Sequence, residues 1–232
     1  WVYTEIQSPS RWRLDLPLWL KRNLGFGAGP ERDQFENAQL AMAQKVVEHF
    51  KNRTSIKEWQ VENEAFVGWF GNCPPIPSAF IRREAALVRR LDPRPILMTE
   101  SGELSLGLRS AFAADIIGTT LYREVWSPIF GFITYPLPSS FYAHKAKLLH
   151  FWASRFIVSE LQLEAWSPAG LNKMPTAEQF KIMNVEKMRG AIDYARRTGV
   201  DEIYTWGAEW WWWLKVNGYP QLWEVAREEF SR

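Results

Sequence analysis

Trp59-Gln-Val-Glu-Asn-Glu-Ala-Phe66 decides how this chain is read, and Phe156-Ile-Val-Ser-Glu-Leu-Gln162 repeats its logic. Each is a short, β-rich run that closes on a glutamate, Glu64 in the first and Glu160 in the second. Near-continuous apolar strands such as Ile-Leu-Met, Phe-Ile-Val and Ile-Ile-Gly are those of a parallel sheet covered on both faces. A carboxylate at the carboxyl end of such a strand sits where barrels and open α/β sheets place their chemistry.

Working outward, β-rich runs alternate with helical ones. A helix is expected from Pro30, a good first-turn residue, to about Phe50, with Phe35, Met42, Val46 and Phe50 on its inner stripe. A strand at Ile56 to Glu62 follows, then a helix from Ser78 to Leu91 with Phe80, Leu87, Val88 and Leu91 inward, stopped by Asp92-Pro93. Next come a strand at Pro95 to Thr99, a short helix near Leu104 to Ala114 and a strand at Ile116 to Leu121. A long loop rich in Pro and aromatics leads to a helix at Ser139 to Trp152 and a strand at Arg155 to Ser159. Thr176-Ala-Glu-Gln179 reads as a capping box for one long helix ending at Thr198-Gly199. A strand at Glu202 to Thr205 and a helix at Gln221 to Phe230 complete the chain. The fold class is therefore α/β: a TIM-type (β/α) barrel, parallel strands ringed by helices, with a doubly wound sheet as the alternative. No linker or composition shift divides residues 1–232, which read as one domain.

Composition removes several functions. The 232 residues carry 28 Lys+Arg against 26 Asp+Glu, with no basic stripe, which argues against a nucleic-acid partner. A single cysteine, Cys73, excludes an intrachain disulfide and any Cys-rich metal site. No apolar run approaches the roughly 20 residues of a membrane span. His144 and His150 lie six apart on one helix, not at the i, i+4 spacing of a metal-binding pair, and no metal or cofactor is expected. Gly25-Phe-Gly-Ala-Gly29 lacks the spacing of a phosphate loop and reads as a flexible turn. The 14 tryptophans, four of them consecutive at Trp210 to Trp213, serve as packing or as flat platforms for a sugar ring.

Two carboxylates facing one cleft supply what glycosidic cleavage needs, a proton donor and a group that attacks or stabilises the sugar cation. In order along the chain stand Asn63-Glu64, Tyr122, Glu160 and Trp206, each at the end of a β-rich run. This arrangement resembles the retaining glycoside hydrolases of the clan A (β/α)8-barrel superfamily: Asn-Glu ending the fourth strand, an aromatic near the end of the sixth, Glu ending the seventh and Trp ending the eighth. The resemblance implies a double displacement with Glu64 as acid/base and Glu160 as nucleophile, their carboxyls about 5–5.5 Å apart. It implies further that Asn63 binds the sugar 2-hydroxyl, that Tyr122 holds and tunes Glu160, and that Trp206 floors the subsite. The substrate would be an oligosaccharide, a polysaccharide or a simpler glycoside, and an extracellular or cell-envelope location is what the family commonly shows.

The chain departs from the family in two places. Counted back from Glu64, the strand at Val2 to Ile6 falls third, so the barrel lacks its first two strands and the arginine that the second contributes. Ala65 stands where proline often follows Asn-Glu. A missing or separately supplied N-terminal piece is the expected explanation, because an open barrel would expose strand edges.

Secondary candidates surround the pair. Glu100 and Glu103 end the next strand and could line the cleft; Glu164 and Trp166 follow Glu160, and Glu209 flanks the tryptophan run. Glu62 and Glu58 read as structural, and Arg11-Trp12-Arg13 as a loop that could reach the cleft. Cys73 sits on a loop after Glu64, without the paired histidine a nucleophilic thiol needs. A catalytically silent carbohydrate-binding barrel is the rival function; metal-assisted hydrolysis, lacking a ligand set, is a weaker one.

Overall fold

The computed structural model describes residues 2–5, 30–67, 76–127, 129–166 and 170–231. Arg11, Trp12, Arg13, Gly25 to Gly29, Cys73 and residues 167–169 of the late loop lie outside them.

The elements run β1 (Val2–Glu5), α1 (Pro30–Phe50), β2 (Ile56–Asn63), α2 (Ser78–Leu91), β3 (Ile96–Glu100), α3 (Leu108–Ala111) and β4 (Ile116–Leu121). They continue with β5 (Glu124–Ser127), β6 (Gly131–Thr134), α4 (Ser140–Leu149), β7 (Arg155–Gln162), a 3-10 turn at Leu171–Lys173, α5 (Thr176–Ile182), α6 (Val185–Arg196), β8 (Ile203–Trp206), α7 (Ala208–Val216) and α8 (Gln221–Phe230). The main-sheet strands follow one another in chain order, and β1/β2, β2/β3 and β7/β8 pair in parallel. Parallel strands alternating with helices make this a partial (β/α)-barrel type of fold among the described residues. β3 and β4 are buried on both faces, which is why their sequences open on the apolar runs Ile-Leu-Met and Ile-Ile-Gly.

The chain divides into two compact units, Trp1–Gly118 with Leu149–Phe156, and Thr119–Leu148 with Ile157–Arg232. In the first, Trp59, Val61, Ile96, Met98 and Ile117 from the strands pack on Ala43 and Val47 of α1 and Phe80, Ile81, Ala85 and Val88 of α2. In the second, Val158, Leu161 and Leu163 pack on Met188, Ala191 and Ala195 of α6, Trp210, Trp211 and Leu214 of α7 and Leu222 and Val225 of α8.

Three local expectations change. The inner stripe of α1 is Glu36, Gln39, Ala43 and Val47, one position round from the one expected, and Met42 and Phe50 are exposed. Small Ala43 lets the helix approach closely, and Glu36 tolerates its burial by accepting from Arg32 and from Arg83 of α2, each at 3.1 Å. The long late helix is two. Gln179 does not cap: its buried amide donates to the carbonyls of Leu171 and Met174, and the chain breaks at Met183. Asn184 starts α6 instead, its side chain accepting from the Lys187 amide at 3.0 Å. The loop after β4 contains a two-stranded hairpin, β5–β6, and the tryptophan run forms a helix of its own, α7.

The core of the first unit holds an uncommon charge arrangement. Glu84 falls between Ile81 and Ala85 on the inner stripe of α2, 2% exposed. Glu62 lies opposite Met98 in the register, and opposed residues share a face, so it too faces the helix layer. Burial pushes the Glu84 carboxyl up to about 7, partly offset by a hydrogen bond shared with Glu62. Two carboxyls there cannot both ionise cheaply. A pKa above the unfolded value means that the native state holds the proton more tightly. That stabilisation is complete below about pH 4.5 and is lost as pH rises through about 7. Glu84→Gln, neutral and nearly isosteric, is expected to flatten the pH dependence and to raise stability above pH 7 by up to about 3 kcal/mol, checked by urea unfolding at pH 5 and pH 8.

Candidate active site

Both strands that carry a candidate glutamate contain one residue more than their partners. In β2, Gln60 pairs with Leu97 and Glu62 with Met98, so one β2 residue is extra. In β7, Val158 pairs with Ile203 and Leu161 with Thr205, which puts the extra residue at Ser159 or Glu160. Such bulges re-aim side chains and are common beside active sites.

In the first unit the β2 end is tightly held. The Glu64 amide donates to the Thr99 carbonyl at 2.6 Å, and the Glu64 carbonyl accepts from Val67 at 3.0 Å. Between these bonds Glu64 takes φ +48°, and no other non-glycine residue among those described has a positive φ. A left-handed backbone costs an L-residue about 1–2 kcal/mol, and such outliers concentrate at functional sites. Neighbouring Phe66 lies under the Arg109 guanidinium, 4.0 Å from the ring centre. Asn63 and Glu64 are both partly exposed. Glu100 is not: it is fully buried, and the Ser110 hydroxyl donates to its Oε1. The carboxylate that the sequence suggested for the cleft lining is therefore enclosed in the protein, held by α3. Glu103 is partly exposed. Glu58 is buried as well, accepting from Arg155 at 3.0 Å.

In the second unit the Tyr122 hydroxyl donates to Glu160 Oε2 at 2.9 Å. Trp166 packs edge-on against the Tyr122 ring, centroids 5.6 Å apart, and so fixes the phenol from its other side. A phenol donating to a carboxylate favours the ionised form. Tyr122→Phe removes a hydrogen bond to a charged group, worth about 1.5–3 kcal/mol. Its expected effect is a roughly 10–100-fold fall in kcat/KM together with an upward shift of the acidic limb of the pH–rate profile, a shift that merely structural damage would not produce.

The β7 and β8 ends are locked to each other. Gln162 pairs with Trp206, the Leu163 amide donates to the Trp206 carbonyl at 3.0 Å, and the Trp211 indole donates to the Leu163 carbonyl at 2.7 Å. Gly207, at φ +126°, passes so close that a Cβ there would meet the Glu164 Cβ at 2.9 Å, so only glycine fits. This contact places Glu164 beside the first turn of α7. Burial raises the Glu164 carboxyl to about 7, and the negative charge of Glu209 pushes in the same direction. Trp206 is 42% exposed, and Glu209 is exposed in the first turn of α7. The tryptophan run divides by helical phase. Trp210 and Trp211 are buried, the Trp210 indole donating to Gln179, whereas Trp212 and Trp213 face outward with Lys215 over the Trp212 ring.

Sequence reading missed Gln162, Gly207 and Glu84. Gln162 works as a backbone mimic, donating to the Glu124 carbonyl at 2.9 Å and accepting from the Glu124 amide at 3.2 Å. Nothing in its immediate sequence announces this. Glu84 did carry a signal, a carboxylate in the apolar i, i+3, i+4 pattern of α2. Among the described residues no group of three or more His, Cys, Asp or Glu is placed to hold a metal ion, and no helix is long and apolar enough to cross a membrane.

No protein-family model and no curated protein matches the chain. Solved structures do. The chain resembles the E153A variant of GH5_18 from Streptomyces cattleya in complex with Manβ1-4GlcNAc at 14% identity and a TM-score of 0.53, over 81% of this chain and 46% of that one. It also resembles GH5_18 from the same organism in complex with GlcNAc at 15% identity and a TM-score of 0.50, over 81% and 45%. A psychrophilic glycoside hydrolase family 10 endo-β-1,4-xylanase aligns at 14% identity and a TM-score of 0.48, over 87% of this chain and 65% of that one. The chain thus spans between about half and two thirds of the length of these structures. At these identities the likeness shows a shared fold.

Proposed function

We propose that the chain is the catalytic part of a retaining glycoside hydrolase, cleaving an O-glycosidic bond by double displacement. The observation that carries this reading is the Tyr122 hydroxyl donating to the Glu160 carboxyl at 2.9 Å, two residues before the end of β7. In the first step an oxygen of the Glu160 carboxylate attacks the anomeric carbon. The bond to the leaving oxygen breaks, and protonated Glu64 delivers its proton to that oxygen. In the second step Glu64, now a carboxylate, takes a proton from water as the water oxygen displaces Glu160 from the anomeric carbon. Sugar and protein are restored, with configuration retained. The mechanism requires about 5–5.5 Å between the two carboxyls in the sugar-bound protein.

The supporting residues take roles consistent with this chemistry. Asn63 adjoins Glu64 and binds the 2-hydroxyl of the reacting sugar, a contact that strengthens in the transition state. Trp206 offers its exposed ring to the apolar face of that sugar, and Trp166 keeps Tyr122 in place. Glu164, its carboxyl raised to about 7 and so about half protonated at pH 7, donates to a sugar hydroxyl in its protonated form, and exposed Glu209 accepts from one. Glu100 is fully buried at the end of β3 and accepts from the Ser110 hydroxyl. The reading extends to oligosaccharide, polysaccharide or simpler glycoside substrates and calls for no cofactor. An extracellular or cell-envelope setting, where polymeric sugars are met, is part of the same proposal.

Proton NMR of the first sugar released from β-configured aryl glycosides tests the stereochemistry. A β-anomer appearing before mutarotation is the expected result, and an α-anomer would overturn the double displacement.

A further inference from the structure

Four connections in the first unit run from the end of a helix to the start of a strand, at residues 51–55, 92–95, 112–115 and 150–154. They lie at the amino ends of the strands, away from Asn63 at the carboxyl end of β2. Hydrogen bonds tie them into one face. The Arg94 guanidinium donates to the Lys51 carbonyl at 2.6 Å, the Ile96 amide to Asp115 Oδ2 at 2.9 Å and the Ser154 amide to the Asp115 carbonyl at 2.8 Å. Three acidic side chains there are each engaged by an arginine: Asp92 by Arg94, Asp115 by Arg89 and Glu58 by Arg155. Lys51, Arg53, Lys57 and Arg90 add four exposed positive charges, of which Glu48 in the last turn of α1 offsets one. The sequence spreads these charges over separate stretches, and only the fold gathers them.

Beyond the ends of α3 and α4 on the same face, three aromatic rings stand in water. Phe151, Phe112 and Trp152 are 82%, 64% and 45% exposed. The Trp152 indole meets both phenyl rings edge-on, its centroid 5.9 Å from that of Phe112 and 6.0 Å from that of Phe151. Rings tilted against one another make a compact apolar knob, not the flat surface on which a nucleic-acid base or a sugar ring stacks. We propose that this face docks on a bilayer surface that contains anionic lipid. The aromatic knob enters the interfacial layer, and the arginines and lysines of the face stay among the headgroup phosphates. An apolar protrusion and an excess of positive charge on one face fit a partner that is apolar beneath a negative layer, and an anionic leaflet has that chemistry. The eight residues of β2 span roughly 25 Å, so docking leaves the Asn63 end turned away from the lipid. The proposal goes beyond the glycosidase reading and does not depend on it.

The test is co-sedimentation of the whole chain with vesicles of phosphatidylcholine, alone or with about 30% phosphatidylserine, the anionic lipid that basic surfaces attract. Wild type is expected to bind the anionic vesicles about tenfold or more above the neutral ones, and less as salt is raised. Arg53→Gln with Arg90→Gln should lower that binding about 25-fold, at roughly fivefold for each charge removed. Phe151→Ser should lower it about 5–10-fold without changing the preference for anionic lipid. All these side chains are exposed, so circular dichroism should be unchanged in every variant. Absence of vesicle binding by wild type, equal binding to both vesicle types, or binding that neither variant lowers would overturn the proposal. Binding to a DNA duplex in place of vesicles, lost in the double variant, would overturn it in favour of a polymeric anion. Self-association abolished by Phe151→Ser, with no vesicle binding, would overturn it in favour of a second copy of the chain.

Discussion

Glu160→Ala is expected to lower turnover of any accepted glycoside by about 10⁴-fold or more, because the nucleophile defines both chemical steps and its loss is not made good by the remaining groups. The fold should survive. Glu160 stands at a bulged strand end and is only partly buried, and the strand's packing residues are Val158 and Leu161. A small external anion such as azide should restore part of the activity with activated substrates, entering where the carboxylate stood. The product then carries the inverted configuration, since only one displacement has occurred. Unchanged circular dichroism, lost turnover and an inverted azide adduct together identify the nucleophile; near wild-type turnover would remove Glu160 from the chemistry.

Glu64→Gln should have an effect that depends on the leaving group. Proton donation by a positioned acid contributes about 10²–10⁴-fold, and it matters most when the departing oxygen is a poor leaving group. Hydrolysis of natural oligosaccharides should therefore fall by about that factor. Breakdown of a dinitrophenyl glycoside should begin with a burst and then slow, because departure needs no acid whereas water attack still needs the base. Sugar affinity should change little, since the amide occupies the same space. An equal loss on every substrate would indicate that the left-handed turn at Glu64 had been disturbed and not the proton transfer itself.

The strands and helices that were legible in sequence are those with a clean period and a punctuating residue. Ser78 to Leu91 is stopped by Asp92-Pro93, and β4 at Ile116–Leu121 and α8 at Gln221–Phe230 have the expected bounds. Misread elements had competing signals. Thr176 to Gln179 has the letters of a capping box, yet Gln179 is more valuable as a buried clamp joining the late loop to Trp210. The buried face of α1 runs through Ala43 and Val47, one position round from Met42 and Val46, because close helix approach favours the small residue. Of the candidate residues, Asn63 ends β2 and Trp206 ends β8 as their sequence positions suggested, whereas β7 continues two residues past Glu160 to Gln162. Side-chain partnerships that cross long sequence distances, Gln162 with Glu124 or Gly207 with Glu164, have no local pattern and become visible only in three dimensions. Glu100 illustrates the same limit: its strand-end place was readable, and its enclosure by Ser110 was not.

The central claim is that Glu160 forms a covalent bond to sugar. Incubating the chain with a panel of activated 2-deoxy-2-fluoro glycosides, followed by peptide mass spectrometry, tests it most directly. The account predicts one added fluorosugar on the peptide containing Glu160, absent from Glu160→Ala, with the reactive member of the panel naming the sugar class. No adduct across the panel, while tryptophan fluorescence still responds to oligosaccharides, would contradict it and make the protein a carbohydrate-binding barrel without catalysis.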